Sequence, residues 1–286
     1  EGKKVKGVNR DDQKELLNYK KAMGFISKYL GKEDPVTEGM VRELHKITVQ
    51  GVRGGQADPG NYRKIQNYVV HSRTREVIYT PPPPLEVPHL MKDFIAWLKS
   101  ADEVSPILAA AIVQFQFVHI HPFIDGNGRT ARLLSTLILY KTGYDFKRLF
   151  TISEYYDRDR PGYYQAIQSV RQNHMDMTVW LEYFVEGLRS QMKEIQEKGK
   201  KIIIAEKVVK SLESYGLNLR QEKVIRYLVI NDRINNDQCQ KVCGSIRRTA
   251  TRDLALLVQK GLLVMKGELK GAYYVLSPTA SKYRTI

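Results

Sequence analysis

The chain has 286 residues, of which 42% are apolar and 27% charged, so it is not a largely disordered protein and is long enough for one large domain or two ordinary ones. No apolar run of about 18 residues is present, so no membrane-spanning helix is expected. The start carries no signal-like apolar stretch and the chain has only two cysteines, which makes a cytoplasmic location the default expectation.

The net charge of +15 is unevenly distributed along the chain. Residues 200–286 contain 17 Lys or Arg and seven Asp or Glu, a net charge of +10. This asymmetry favours a polyanionic partner for the last third, and a solvated basic surface is the alternative. The first residue is not Met, so the sequence is expected to belong to a longer one.

Apolar residues three and four positions apart predict a mostly helical first part. The predicted helices cover 11–30, 37–48, 85–99, 106–119, 130–142, 160–171 and 179–198. Thr37 is a good N-cap for the second helix, and the helix over 106–119 is apolar enough to be central. Alternating apolar residues over 67–80 predict a β-hairpin, which the prolines of 81–84 end.

Three shorter helices are predicted over 220–230, 235–242 and 245–260, followed by strands over 261–265 and 272–276. This order resembles a winged helix-turn-helix, so we predict two domains, 1–199 and 200–286. Arg247, Arg248 and Arg252 lie at the start of the presumed recognition helix, and we expect them to contact DNA. Docking of a protein is the alternative role for such a domain. The cysteines, Cys239 and Cys243, are expected to lie on a helix and to face the protein core.

Residues 121–132, HPFIDGNGRTAR, combine the groups that a triphosphate requires, and we call them the signature. His121, between an apolar helix and a proline, is a candidate general base. Asp125 is a candidate Mg²⁺ ligand. The amides of Gly126, Asn127 and Gly128 can form an anion-binding turn before a helix. Arg129 and Arg132 share a helix face and can hold phosphate oxygens.

Each part of the signature can also serve a purely structural purpose. The histidine can be a packing residue, Gly-Asn-Gly an ordinary turn, and the arginines members of structural ion pairs. A calcium loop starting at Asp125 is excluded because its twelfth position, Thr136, is not the required Glu. A zinc site at His119 and His121 lacks a third ligand at convincing spacing.

The signature resembles that of the Fic family, HPFx(D/E)GNGRxxR, at every specified position. The resemblance implies a helical core with a small β-hairpin flap, and Mg²⁺-dependent transfer of AMP from ATP to a Tyr, Thr or Ser hydroxyl of a target protein. It implies that His121 deprotonates that hydroxyl, that Arg129 contacts the inner phosphates and that Arg132 contacts the γ-phosphate. The related Doc kinases carry Lys at the position of Gly128, so Gly favours nucleotidyl transfer. Removal of AMP, or a DNA-binding regulator that senses nucleotide, are the alternatives.

The resemblance extends over residues 1–195. The loop residues of 51–55, 59–63 and 66–67 are similar to those of longer Fic proteins. Ile78, Tyr79 and Thr80 resemble the flap strand that holds a target segment by strand addition, for which a plain surface hairpin is the alternative. Tyr164 and Ile167 lie where similar proteins build the adenine pocket.

Many Fic enzymes resemble one another in an inhibitory motif, (S/T)xxxE(G/N), whose Glu pairs with the second signature arginine. Glu1 and Gly2 stand where the end of this motif would be, with its Ser or Thr upstream of the first residue. We therefore predict that the enzyme is auto-inhibited by an ion pair between Glu1 and Arg132. A simple terminal residue is the alternative.

Overall fold

A computed structural model describes residues 10–28, 35–52, 58–71, 73–144, 152–268 and 271–285. This part of the chain is mostly helical, as the apolar spacing predicted, and contains two short hairpins. None of its helices has the length and apolarity needed to cross a membrane. The chain divides into two compact units between Gln191 and Met192. Glu1 lies outside the described residues.

The first unit places its site between helices that are far apart in sequence. Its elements are α1 (Arg10–Ser27), α2 (Glu38–Val49), β1 (Val69–Val70), β2 (Val77–Tyr79), α3 (Val87–Ser100), α4 (Pro106–Ile120), α5 (Asn127–Lys141), α6 (Ile152–Arg158), α7 (Arg160–Gln172) and the start of α8 (Thr178–Ser211). Short 3₁₀ turns precede and follow α3, at Pro84–Glu86 and Ala101–Glu103. The predicted cap of α2 is present, because the Thr37 side chain accepts a hydrogen bond from the Met40 amide.

The apolar α4 is the central helix of this unit, as predicted. Its small residues Ala109, Ala110 and Ala111 are buried, and neighbouring helices can therefore approach it closely. The indole of Trp180, on α8, is fully buried and donates its Nε1–H to the Ala111 carbonyl at 2.9 Å. Packing around α4 thereby fixes the end of the helix from which the signature emerges.

Several boundaries differ from the sequence-based prediction. The helix expected from residue 130 begins at Asn127, so the glycine-containing turn leads directly into α5. The helix α6 was not predicted, because seven residues are too few for a clear apolar period. The helix predicted over 179–198 does not end at residue 198, because α8 has 34 residues. Both the predicted domain boundary and the observed division into two units lie within α8.

The predicted hairpin over 67–80 is formed by β1 and β2, which pair antiparallel. Val69 lies opposite Tyr79 and Val70 opposite Val77, so the register shifts by one residue at Ile78. Thr80 follows β2 and is exposed, and the prolines after it lead into the turn before α3.

The second unit follows the predicted order of three helices and two strands. These are α9 (Leu219–Asn231), α10 (Asn236–Cys243), α11 (Arg247–Gln259), β3 (Leu263–Lys266) and β4 (Tyr273–Leu276), with a short α12 (Pro278–Ser281) after them. The strands pair antiparallel, and Ile234 forms a further antiparallel bridge to Tyr274. Cys239 and Cys243 are buried in this unit's core, as expected, with their sulfur atoms 4.0 Å apart.

Substitution of two glycines of α8 tests whether α6 packs closely against α8. A Cβ atom on Gly187 would lie 2.7 Å from Cδ1 of the Tyr155 ring, whereas a Cβ on Gly199 would have no atom of the described residues within 4 Å. We expect Gly187→Ala to lower the free energy of unfolding by about 1–3 kcal/mol through overpacking. Gly199→Ala should raise it by up to about 1 kcal/mol through helix propensity. Urea denaturation followed by far-UV circular dichroism measures both, and equal effects of the two substitutions would contradict the packing.

Candidate active site

His121 occupies a strained turn at the end of α4. Its φ of 53° is left-handed, which is unfavourable for a residue with a side chain, and Pro122 follows it. Arg63 holds this turn twice: its Nε donates to the His121 carbonyl at 2.9 Å, and its backbone N–H donates to the Pro122 carbonyl at 2.9 Å. The same guanidinium donates through Nη2 to the Pro82 carbonyl beyond the hairpin. Strain held in place by such contacts is frequent at functional sites.

The hydrogen bonds of His121 determine its tautomer. Its Nδ1 lies 3.2 Å from the Val118 carbonyl oxygen, which can only accept a hydrogen bond. Nδ1 therefore carries the proton, and Nε2 keeps a lone pair. Burial lowers the pKa of His121 from 6.5 to about 4, so the ring is neutral near pH 7. A neutral imidazole with an available Nε2 can accept a proton from a hydroxyl.

The loop between His121 and α5 is closed by one asparagine. The buried Asn127 side chain accepts from the Phe123 amide at 2.9 Å and donates to the Phe123 carbonyl at 2.8 Å. Gly126 caps α5 with a φ of 80°, and a Cβ there would lie 2.5 Å from Cγ1 of Val49. The backbone at this position therefore requires glycine.

A second histidine, His45 on α2, contacts this loop at Phe123 and Asp125. It is fully buried, and its ring stacks on Phe123 with centroids 3.7 Å apart. Its Nδ1 accepts the Gly60 amide proton at 2.9 Å, so its Nε2 carries the proton and donates to the Asp125 carbonyl at 2.9 Å. Burial lowers the pKa of His45 to about 4, which keeps this bridge neutral.

The charged signature residues lie around the start of α5. The Arg129 guanidinium contacts Glu15 of α1, with Nη1 and Oε1 3.0 Å apart, and Asp125, with Nη2 and Oδ1 3.5 Å apart. The Arg129 side chain is 17% exposed, so these contacts are only partly screened by water. Glu15 was not predicted as a site residue, because its partner lies 114 positions away in the sequence.

His121 stands between two adjoining cavities of different character. The first, of about 430 Å³, is lined by charged and polar groups that include Asp125, Asn127, Arg129, Arg132, Asp157 and Arg160. The second, of about 200 Å³, has largely apolar and aromatic walls that include Val69, Ile78, Val118, Tyr163, Tyr164 and Ile167. His121, Gly128 and Arg132 line both cavities. We call them the polar cavity and the apolar cavity.

The hairpin forms part of the wall of the apolar cavity. Gln168 of α7 donates through Nε2 to the Ile78 carbonyl at 2.8 Å. The Arg171 guanidinium lies over the Tyr79 ring, 3.4 Å from its centroid, and Arg171 Nε is buried with no hydrogen-bond partner among the described residues. Burial lowers the pKa of Arg171 to about 10, which leaves it charged near pH 7. The hairpin is thus fastened to α7 by side chains that the sequence analysis did not single out.

The structure brings most of the predicted residues together. The predicted base, anion-binding turn, arginines and metal ligand, and the residues Tyr164 and Ile167, line the two cavities. Of the predicted hairpin residues, Ile78 lines the apolar cavity, Tyr79 faces α4 and Thr80 is exposed. Sequence reasoning missed His45, Arg63, Asp157, Gln168 and Arg171. Two of them had a sequence signal: Arg63 lies in the Fic-like loop pattern of 59–63, and Arg171 is a charged residue one turn after Ile167 on the same predicted helix face.

The predicted DNA-contacting residues lie on α11 in the second unit. Arg247, Arg248 and Arg252 are all exposed, and among the described residues no carboxylate forms an ion pair with them. The neighbouring Asp253 is buried and instead pairs with Arg220, with Nε and Oδ2 2.6 Å apart. The first turns of α11 therefore present positive charge to solvent.

The region that carries the signature is similar to known proteins. Residues 35–139 match the model of the Fic/DOC family. Over 145 residues, 49% of this chain, the sequence is 36% identical to protein adenylyltransferase Fic of Drosophila grimshawi and 35% identical to that of Drosophila melanogaster. These matches span 28% and 27% of the two relatives, so the chain corresponds to just over a quarter of their length.

Two solved structures share the fold. A Fic family protein from Desulfovibrio desulfuricans G20 superimposes with a TM-score of 0.61 at 22% identity, over 97% of this chain and 78% of that one. A Fic domain containing signaling protein from Bacteroides thetaiotaomicron VPI-5482 gives 0.56 at 24% identity, over 68% and 74%.

Three neutral histidines, of which His45 is fully buried and His119 and His121 are partly buried, make stability depend on pH in a defined direction. Burial lowers the pKa of His45, His119 and His121 to about 4, whereas the unfolded chain protonates them near 6.5. Between these values the unfolded state binds more protons, so the free energy of unfolding should fall as pH decreases from about 7 to 5. Each histidine contributes a slope of up to about 1.4 kcal/mol per pH unit.

Urea midpoints at several pH values measure this slope. Replacing His45 by Gln removes one of the three titrating groups, so His45→Gln should lower the slope by about a third. A slope that is the same in His45→Gln and in the unsubstituted chain would contradict a neutral buried His45.

Proposed function

We propose that the Fic/DOC domain of this chain makes it a protein adenylyltransferase, which transfers AMP from ATP to a Tyr, Thr or Ser hydroxyl of a target protein. The observation that carries the proposal is the position of His121. Its Nε2 is the acceptor nitrogen, and its side chain lines both a polar and an apolar cavity. Proteins named protein adenylyltransferase Fic match half of this chain, and the Fic/DOC family match over residues 35–139 includes the whole signature.

The reaction follows from the groups around His121. Nε2 takes the hydroxyl proton while the hydroxyl oxygen attacks the α-phosphorus of ATP. A P–O bond to the α-phosphate forms, the bond between the α-phosphorus and the bridging oxygen breaks, and pyrophosphate leaves with the electron pair. Arg129, Arg132 and the amides at the start of α5 stabilise the negative charge on the phosphates.

The polar cavity suits the phosphates and a Mg²⁺ ion. The carboxylates of Asp125 and Asp157 line it, and these side chains are 39% and 66% exposed. Mg²⁺ in such sites takes one or two carboxylates, phosphate oxygens and water. The donor set therefore fits, with Asp125 as the ligand nearest the signature turn. When bound, the ion neutralises phosphate charge.

The apolar cavity suits the adenine base. Tyr164 is half exposed and Ile167 is buried, and together with Ile78 and Val69 they offer flat and aliphatic surface. Gln168 and Arg171 add polar groups to the same wall. An aromatic base with ring-nitrogen acceptors can use both kinds of contact.

We further propose that the hairpin acts as a flap that positions the target through Ile78, Tyr79 and Thr80. The Ile78 carbonyl already accepts a hydrogen bond from Gln168, so a target strand that uses this carbonyl must replace that bond. Glu1 is proposed to inhibit the enzyme through Arg132, which lines both cavities. Removal of AMP by the same groups is the alternative within the enzyme class.

For the second unit we propose a winged helix that binds DNA. Support comes from the order of its elements and from the exposed Arg247, Arg248 and Arg252 on α11. Helices in this position enter the major groove with their N-terminal residues. A regulator that binds DNA and uses the Fic/DOC domain to sense nucleotide is the second candidate function, which the same arginines favour.

The catalytic role of His121 is tested with ATP labelled on the α-phosphate. His121→Ala should reduce transfer of label to protein by about 10²–10⁴-fold while ATP binding persists, because the phosphate contacts are separate from the base. Asp125→Ala and Arg129→Ala should instead weaken ATP binding, measured by calorimetry. The control is His89→Ala, which removes an exposed imidazole on α3. Transfer at the unsubstituted rate by His121→Ala would overturn the assignment.

DNA binding is tested by gel-shift titration of the full chain at several salt concentrations. The substitution of Arg247, Arg248 and Arg252 by Ala should weaken binding and reduce the slope of log affinity against log salt by up to about 3. A matched control replaces the exposed Lys207, Lys210 and Lys223 of the same unit by Ala and should have the smaller effect. Absence of binding even at low salt would favour a protein-docking role.

A further inference from the structure

A third cavity, of about 500 Å³, lies between α3 and α4 and is not used by the proposed reaction. We call it the α3–α4 cavity. Leu90, Phe94 and Trp97 of α3 form one apolar wall, and Ile112 and Ile120 of α4 form the other. Its size and lining are those of a ligand site, in which apolar walls carry a few polar groups.

The first polar group is His119. The Tyr79 hydroxyl lies 2.8 Å from the His119 carbonyl oxygen, to which it must donate, and 3.0 Å from His119 Nδ1. Because the hydroxyl proton is already used, Nδ1 donates to the Tyr79 oxygen and Nε2 carries no proton. Burial lowers the pKa of His119 to about 4, so the ring stays neutral. His119 Nε2 is therefore a neutral acceptor in the cavity lining, and it can bind a hydrogen-bond donor of the occupant.

The second polar feature is a pair of carboxylates. Glu86 and Asp93 line the cavity, and both are exposed. The Asp93 side chain is 62% exposed and lies 3.4 Å from the side chain of His89. Within the described part of the chain, no Lys or Arg lines the cavity. Negative charge beside apolar walls favours an occupant with an apolar group and a nearby cation.

The position of the cavity links it to the hairpin. Pro82 belongs to its lining and follows Tyr79 by three residues. Arg63 fixes this stretch by binding the Pro82 carbonyl as well as the His121 carbonyl. A strand and an extended segment lying beside it both rise about 3.3 Å per residue. The target residue that reaches the cavity therefore lies about three positions from the one opposite Tyr79.

The surroundings of the mouth favour a protein segment over a small molecule. Leu85, which precedes Glu86, is 94% exposed, and Met175, which lines the cavity, is 42% exposed. A small molecule held inside the cavity needs no such exposed apolar surface. Large apolar side chains at the rim of a cavity are typical of protein interaction sites.

We propose that the α3–α4 cavity receives a large apolar side chain, flanked by Lys or Arg, from the target segment whose hydroxyl is modified. The apolar side chain contacts Phe94 and Trp97, a donor of the segment binds His119 Nε2, and the cation faces Glu86 and Asp93. The inference rests on the proposed function, because it assigns the cavity to the substrate of that reaction.

Trp97 provides a direct readout of binding. The chain has two tryptophans, and the other, Trp180, is fully buried with its Nε1–H bonded to the Ala111 carbonyl. The probe is a capped nine-residue peptide without aromatic residues, with a central Thr, a Leu three positions from it and Lys on both sides of the Leu. The matched peptide carries Glu in place of each Lys.

We expect a saturable change in Trp97 emission with the Lys peptide and at least tenfold weaker binding of the Glu peptide. Glu86→Lys combined with Asp93→Lys should weaken binding of the Lys peptide at least tenfold. The control, Glu103→Lys, reverses an exposed charge beyond the other end of α3 and should have no effect. Equal binding of the two peptides, an unchanged affinity in the double variant, or no saturable binding would each overturn the inference.

The same peptides separate this inference from the proposed function. With α-labelled ATP, the Lys peptide should gain label faster than the Glu peptide, and the double variant should lose this preference at unchanged ATP affinity. Charge-selective binding supports the cavity assignment even where no label is transferred to any protein or peptide. Absence of label transfer, in contrast, would count against adenylyl transfer and not against the cavity assignment.

Discussion

The site depends on one buried imidazole that binds two backbone groups. His45 joins the Gly60 amide to the Asp125 carbonyl, and these groups come from loops 15 and 80 residues away from it in the sequence. Both bonds require a neutral ring with its proton on Nε2. Stacking on Phe123 places the ring directly under the signature loop. The left-handed backbone at Gly126 and the start of α5 therefore rest on an interaction that involves none of the proposed catalytic side chains.

The histidines of the site are uncharged, whereas its arginines carry positive charge. His45, His119 and His121 lie near Arg63, Arg129 or Arg171, whose positive charges together with burial favour the uncharged imidazole. The arginines keep their charge because a guanidinium loses its proton only at high pH. The polar cavity thus combines three arginines with the carboxylates of Asp125 and Asp157, and the neutral His121 ring lies beside them. A histidine at its ordinary pKa would be partly protonated near neutral pH and less available as a base.

Much of this arrangement can be read from sequence, since it depends on local spacing. The signature contains the proposed base, the turn and the two arginines within twelve residues, and the apolar period identifies most helices. The contacts of His45, Arg63 and Gln168 could not be read, because they join backbone groups 15 to 90 residues distant, which no local pattern encodes. The end of α8 was missed for a different reason. The charged residues and Gly199 around position 198 are typical of a linker, yet in a long exposed helix they are stabilised by pairs such as Lys200 with Glu197.

Three side chains in contact with one another connect the lining of the apolar cavity to that of the α3–α4 cavity. Arg171 faces the apolar cavity and lies over Tyr79, Tyr79 is hydrogen-bonded to His119, and His119 faces the α3–α4 cavity. A donor that binds His119 Nε2 stabilises the tautomer in which Nδ1 donates to Tyr79. That tautomer fixes the Tyr79 ring on which Arg171 is placed. A nucleotide in one cavity and a target segment in the other would therefore share these contacts, and any effect of one on the affinity of the other must be equal in both directions.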